Sequence, residues 1–302
     1  MEHQPDYIVF LCYGNENIFH ECAYSLLTLS ALYDRHEANK LEVWIYTDNP
    51  AYFKDIKNCP LNLNYRIIDA TTIKKWKGAI NFNHRVKIKV LADFTKEREG
   101  NILYVDTDTI FNRSLAEVFG QIQNGHLYMH VMEGIVSDRE NPILKKLSDF
   151  LSKDVALNNS GLQLNNQAMW NAGVLGFNTT HKQLLKNVLE FTDDLYMRFP
   201  KHIVEQFAFS VFFQKGQTIK AAAPYITHYW NLKEMRIILA SFFSVYKNCT
   251  WNELVKNAGM ISVPVLLQEK ANFYKNRNVT DKILKKEWLP AMPNWGKLQS
   301  QI

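Results

Sequence analysis

The chain has 302 residues, with 35 Lys+Arg against 30 Asp+Glu and 47% apolar residues. A chain of this length buries about three quarters of its unfolded surface and needs no disulfide or metal to fold; its 22% charged and 13% aromatic content excludes global disorder. No run approaches 18 consecutive apolar residues, which excludes a transmembrane helix, and the opening MEHQPD lacks the basic and apolar regions of a secretory leader, so none is expected.

Residues 7–12 form an apolar run of strand length that stops at Tyr13-Gly14-Asn15-Glu16, a turn signal. Residues 18–32 then space Cys22, Leu26, Leu29 and Leu32 on one helical face. Residues 41–46 read as a second strand, closed by Thr47-Asp48-Asn49-Pro50, and residues 64–68 as a third. A helix over 84–94 precedes the apolar strand 101–105. Beyond it, a strand is expected within 126–132, a loop over 147–166, a strand over 171–177, and helices over 181–196 and 203–213. Helices and irregular chain follow from 232. Strands alternating with helices predict an α/β fold with a mostly parallel sheet flanked by helices. No linker divides the chain, so a main unit over 1–228 and a mainly helical extension over 229–302 are expected.

That extension carries 11 Lys+Arg against 5 Asp+Glu, and it holds Trp230, Trp251, Trp288 and Trp295. Two readings stand beside each other: a solvated face around a small helical core, or a basic surface for an anionic membrane or a phosphate-bearing ligand. In the second, Lys282, Lys285 and Lys286 would share an exposed face with Trp288 and Leu289. Cys12, Cys22, Cys59 and Cys249 show no metal-site spacing. A buried, inert Cys12 and reduced thiols are expected, which points to the cytoplasm.

The most informative run is Ile102-Leu-Tyr-Val-Asp106-Thr107-Asp108-Thr109. A buried strand delivers two carboxylates to its C-terminal end, where open α/β sheets bind ligands. In an extended chain residues i and i+2 point the same way, so Asp106 and Asp108 are expected to face one divalent cation. Hard oxygen ligands select Mg²⁺ or Mn²⁺. A phosphatase with a nucleophilic first Asp would need a Gly-Thr-Leu-like continuation, and Thr109-Ile110-Phe111 does not supply it. In the helix 84–94, Val86, Val90, Leu91 and Phe94 mark the apolar face, and Lys87 projects into its middle. A core-facing lysine is rarely unpaired, so Lys87, ahead of Arg85 and Lys89, is expected to reach a carboxylate of the triplet or a phosphate.

From residue 7 to 228 the chain resembles glycosyltransferases of the GT-A fold, especially those of family eight. The resemblance rests on Asp106-Thr-Asp108, on Asn171-Ala-Gly173-Val, on Glu205-Gln206 opening a helix, and on His228 in Ile-Thr-His-Tyr-Trp. It implies a metal held by Asp106, Asp108 and His228, and a nucleotide-sugar donor, a uridine diphosphate sugar. Imidazole beside carboxylates suits Mn²⁺ better than a strict Mg²⁺ site. Glu205 is expected to hold the acceptor or a donor hydroxyl, Gln206 to lie against the anomeric carbon, and Asn171 to bond sugar hydroxyls. Gly173 is expected to admit the ligand to the backbone. The donor is expected to meet Cys12, Tyr13 and Gly14 at the end of the first strand, Asp48 at the end of the second, Thr107 and Lys87. The acceptor would be a glycan or lipid-linked glycan, with peripheral membrane contact through the extension and no nucleic acid. A non-catalytic protein binding nucleotide-sugar or glycan on the same scaffold is the other reading.

Overall fold

The structure is a computed structural model that describes residues 4–295 except 39, 55, 57, 139, 155–165 and 217; at 35 and 279 it describes the backbone alone. The elements run β1 (Asp6–Cys12), α1 (Glu16–Ser30), α2 (Arg35–Ala38), β2 (Glu42–Thr47), α3 (Ala51–Lys54), β3 (Asn62–Ile67), α4 (Ala70–Lys77), α5 (Arg85–Glu97), β4 (Asn101–Val105), β5 (Thr109–Phe111) and α6 (Ala116–Gln123). They continue through β6 (Tyr128–Met129), β7 (Met132–Ile135), α7 (Pro142–Leu151), β8 (Ala168–Trp170), β9 (Val174–Asn178), α8 (Leu184–Arg198), α9 (Val204–Phe213), β10 (Lys220–Ala221) and β11 (Ile226–His228). The chain then turns helical: α10 (Met235–Val245), α11 (Trp251–Ala258), α12 (Val263–Asn276) and α13 (Val279–Ile283).

Seven strands form the main sheet in the order β10-β6-β9-β4-β1-β2-β3. Only β9 runs against the rest, pairing antiparallel with β4 and β6. The chain builds outward from β1 through β2 to β3, then returns to the other side of β1 with β4. That reversal opens a crevice at the C-terminal ends of β1 and β4, the usual place for a ligand in an open α/β sheet.

After their first residues, Asp6 and Asn101, β1 and β4 are apolar runs because both faces are covered. Ile8, Phe10 and Cys12 pack into a core with α1, whereas Tyr7 and Val9 join the opposite core with α5 and α9. All four cysteines are free, and burial raises the Cys12 thiol. The helix α7 replaces part of the loop expected over 147–166. Asn141 caps it, accepting the N–H groups of Ile143 and Leu144, Pro142 opens it, and Leu144, Leu147 and Leu151 are its buried stripe. An Asn-Pro pair marks a turn and a helix start equally well. Residues 155–165 of the expected loop lie outside the described residues.

The C-terminal helices pack on α1. Tyr24 donates to the carbonyls of Ala258 and Ile261, and Trp251 Nε1 donates to Ser30 Oγ at 2.7 Å. Trp295 donates to Ser241 and packs on Phe242. Trp288 is 7% exposed. It therefore does not share an exposed face with Lys282, Lys285 and Lys286; an indole buries more apolar area inside the core than at its rim. Around those exposed lysines it is Ile283, Leu284 and Leu289 that stand out, each 70% exposed or more. Among the described residues no helix is long and apolar enough to cross a membrane.

Candidate active site

Asp106 is the first residue after β4, and its backbone N–H donates to Gly173 O at 2.8 Å. The chain does not stay extended through Asp108, as strand alternation had suggested; it bends at Thr107 and Asp108 before entering β5. The bend is pinned from inside. Thr109 Oγ1 donates to Asp106 O at 2.9 Å and lies 2.9 Å from Ser25 Oγ. β5 pairs antiparallel with β11, setting His228 opposite Thr109, and the Tyr229 N–H donates to Asp108 O. Convergence of the two aspartates thus comes from a bend held by a hairpin-like pairing with a strand over a hundred residues away.

The result is a three-ligand cluster. One oxygen each from Asp106 and Asp108 and one nitrogen from His228 lie within 4.8 Å of one another. His228 Nε2 is 3.0 Å from Asp108 Oδ1 and 3.9 Å from Asp106 Oδ2. Two carboxylates and one imidazole fit one divalent ion and leave coordination positions for ligand oxygens. Burial would raise the Asp108 carboxyl, but His228 and Lys233 outweigh it and hold it down to about 2.

Lys87 meets the expectation of a paired, core-facing lysine. Val86, Val90, Leu91 and Phe94 are fully buried, and Lys87 among them is 5% exposed. Its ammonium donates to Asp106 Oδ2 at 3.1 Å and to Ala172 O at 2.8 Å, and it lies 3.4 Å from Glu205 Oε1. Burial alone would lower it; facing Asp106 and Glu205 outweigh that and raise it above the ordinary lysine value. Tyr104 donates to the other Asp106 oxygen at 2.9 Å. Arg85 instead pairs with Asp193.

Glu205, in the first turn of α9, is 2% exposed. Burial pushes its carboxyl up to about 7, against the pull of Lys87. Gln206 Nε2 donates to Glu133 Oε2 at 2.7 Å. Asn171 donates to Glu133 Oε1 and accepts, on Oδ1, from the Gly173 N–H and from His228 Nδ1, all at 2.9 Å. Its amide is already engaged on three sides by the protein itself. Gly173 lines the cavity, and a Cβ there would lie 2.1 Å from His228 Nδ1. The space that glycine leaves open is filled by the imidazole.

These groups line one cavity of about 810 Å³, together with Leu11, Tyr13, Thr107, Lys233 and Arg236. The remaining residues expected to meet a donor fall outside that lining. The Cys12 side chain turns into the core. Gly14, at φ +103°, donates its N–H to the Asp48 carboxylate at 3.2 Å, tying the ends of β1 and β2. Residues absent from the sequence reading supply much of the wall. Lys233 Nζ approaches Asp108 Oδ2 at 3.8 Å, and Arg236 pairs with the buried Glu21 at 2.7 Å. Their i, i+3 spacing at the start of the basic extension was a visible signal. Glu133 matched no motif, standing alone among the apolar residues Val131, Met132, Ile135 and Val136.

The fold is similar to mouse xyloside xylosyltransferase 1 in its apo form, at 13% identity over 72% of this chain and 84% of that one, TM-score 0.47. It is also similar to the galactosyltransferase LgtC in complex with donor and acceptor sugar analogues, at 15% identity over 72% of this chain and 73% of that one, TM-score 0.46. No protein-family model and no curated protein sequence matches the chain.

Proposed function

We propose that the chain is a metal-dependent glycosyltransferase of GT-A architecture, moving a sugar from a uridine diphosphate donor to a glycan or lipid-linked acceptor. The observation that carries this reading is the meeting of Asp106, Asp108 and His228 at the C-terminal edge of the sheet, inside a cavity with Lys233 and Arg236 on its wall. A divalent ion held there, Mn²⁺ or Mg²⁺, would supply Lewis acidity toward a departing diphosphate. Lys233 and Arg236 add positive charge on the same side, where negative charge grows as the sugar leaves. Lys87 holds Asp106 in place from below, and Glu205 and Gln206 flank the space for the transferring carbon. Tyr13 offers an aromatic face to the base, and Thr107 lies between the aspartates.

The test is release of uridine diphosphate from a panel of its sugars, with and without Mn²⁺. Metal-dependent release, slow without acceptor, is expected. Tight nucleotide-sugar binding with no release under Mn²⁺ or Mg²⁺ would leave a binding protein on the same scaffold instead.

Gly173→Ala is expected to weaken Mn²⁺ binding in the presence of uridine diphosphate by tenfold or more, because a methyl group cannot share the space of the imidazole. Effects of about 10–100-fold are usual when a ligand's orientation is lost. Calorimetric titration reads it, and an unchanged affinity would remove His228 from the ligand set.

The four free cysteines suit a reducing cytoplasm, and we place the protein there, at the inner face of the membrane. Lys282, Lys285 and Lys286, with Ile283, Leu284 and Leu289 exposed among them, suit an anionic leaflet. Each such lysine contributes about 1 kcal/mol near that surface. Flotation with anionic vesicles at low salt, lost in a Lys282→Gln/Lys285→Gln/Lys286→Gln variant, is the expected result. Absence of flotation by the intact protein would make the extension a structural element only.

A further inference from the structure

Glu133 belongs to no sequence motif, yet the fold spends a special device on it. β7 pairs with β8 so that Met132 faces Trp170 and Gly134 faces Met169, leaving Glu133 as the extra residue of a bulge. Gly134 follows at φ +140°, a conformation that L side chains rarely adopt. Bulges of this kind re-aim a side chain, and they concentrate beside active sites. Here the re-aimed carboxylate reaches the cavity wall and accepts from two carboxamides, Asn171 Nδ2 at 2.9 Å and Gln206 Nε2 at 2.7 Å.

We propose that Glu133 is a positioning residue that sets the polarity of these two amides and so turns the Gln206 carbonyl oxygen toward the cavity. Its consequence for catalysis rests on the transferase reading above; the polarity itself does not. The oxygen and nitrogen ends of a carboxamide are nearly equal in size, so packing does not choose between its two orientations. Only the partners choose. A carboxylate offers acceptors alone, and both amides must therefore present N–H to it.

The two amides differ in how far they depend on Glu133. Asn171 is also fixed at its oxygen by the Gly173 N–H and by His228 Nδ1. That oxygen, an acceptor only, takes the Nδ1 hydrogen bond and so turns Nε2 toward Asp106 and Asp108. Gln206 has no second restraint, since among the described residues its amide makes no hydrogen bond except the one to Glu133. With Nε2 held, Oε1 is the end left for the cavity. A carbonyl dipole directed there favours positive charge on a sugar carbon in an oxocarbenium-like transition state, whereas an NH₂ group would oppose it.

Glu133→Gln is the decisive substitution because it preserves shape. The new amide accepts from only one neighbour and sets its own NH₂ against the other. Asn171, held twice at its oxygen, keeps its orientation, so Gln206 turns over. In the holoenzyme with Mn²⁺, kcat is expected to fall about 10–100-fold, in the range of lost orienting partners, with KM for the donor and Mn²⁺ affinity nearly unchanged. Side-chain amide NMR of the metal-free protein gives a second readout. The Gln206 NH₂ protons should be slow to exchange in the wild type and fast in Glu133→Gln.

Adding Asn171→Asp to Glu133→Gln reverses the donor and acceptor within that contact and lets the new amide accept from Gln206 again. The double variant should recover slow exchange and a tenfold or greater part of the lost kcat. Unchanged Gln206 exchange in Glu133→Gln, or a double variant as impaired as the single one, would overturn the proposal. A wild-type protein without turnover on any donor would defeat the transferase reading, while the exchange experiment would still decide the polarity.

Discussion

Asp108→Asn is expected to lower turnover by about 10²–10³ while leaving the fold intact, the usual cost of removing an electrostatic contact made in the transition state. His228 and Lys233 hold the Asp108 carboxyl down to about 2, so it is charged at any working pH and the substitution removes a full negative charge. An amide oxygen coordinates a divalent ion poorly and does not offset its charge. The side chain lies in a bend pinned by Thr109, Ser25 and the β5–β11 pairing rather than by its own carboxylate, so the fold should survive. Steady-state kinetics across a Mn²⁺ titration, with circular dichroism as control, read the result. An active Asp108→Asn protein with unchanged metal dependence would remove the triplet from the site.

Lys87→Met should act mainly on stability. Methionine keeps most of the aliphatic volume but removes the ammonium between Asp106 and the buried Glu205. Breaking a buried pair from one side costs about 3–5 kcal/mol, because the remaining charge has no compensation. Glu205 can escape that cost by binding a proton, since burial already pushes its carboxyl up to about 7. A carboxyl raised on folding stabilises at low pH, and that contribution is lost as pH rises through the raised value. The gap between Lys87→Met and wild type should therefore be wide at pH 8 and narrower at pH 5. Urea titrations at the two pH values, with an unchanged slope, measure it. A gap independent of pH would mean that Glu205 does not feel the missing ammonium.

Much of the scaffold was legible because its signals are local. The run Asn101 to Val105 followed by Asp106-Thr-Asp108 announces a buried strand ending in carboxylates, and the apolar spacing of Val86, Val90, Leu91 and Phe94 puts Lys87 on the inner face of its helix. Both follow from the period of a single element, which needs no knowledge of the partner that covers it. Local signals also mislead, as at residues 147–151, expected in a loop but found in the last part of α7.

By itself, then, the sequence determined the class of fold, the strand that carries the aspartates and the helix that carries Lys87. The helix face of Lys87 predicts a carboxylate partner for it, and the resemblance implies the joining of His228 to the aspartates; the tertiary structure decided how these groups are brought together and what else they meet. His228 reaches Asp108 across 120 positions because β11 pairs with β5, and Gly173 is small to make room for that imidazole. Asn171 turns out to serve His228 and Glu133, and Trp288 closes the core. Each of these is a contact between distant segments, set by strand register and by competition for buried space, and neither quantity is written in the spacing of any one segment.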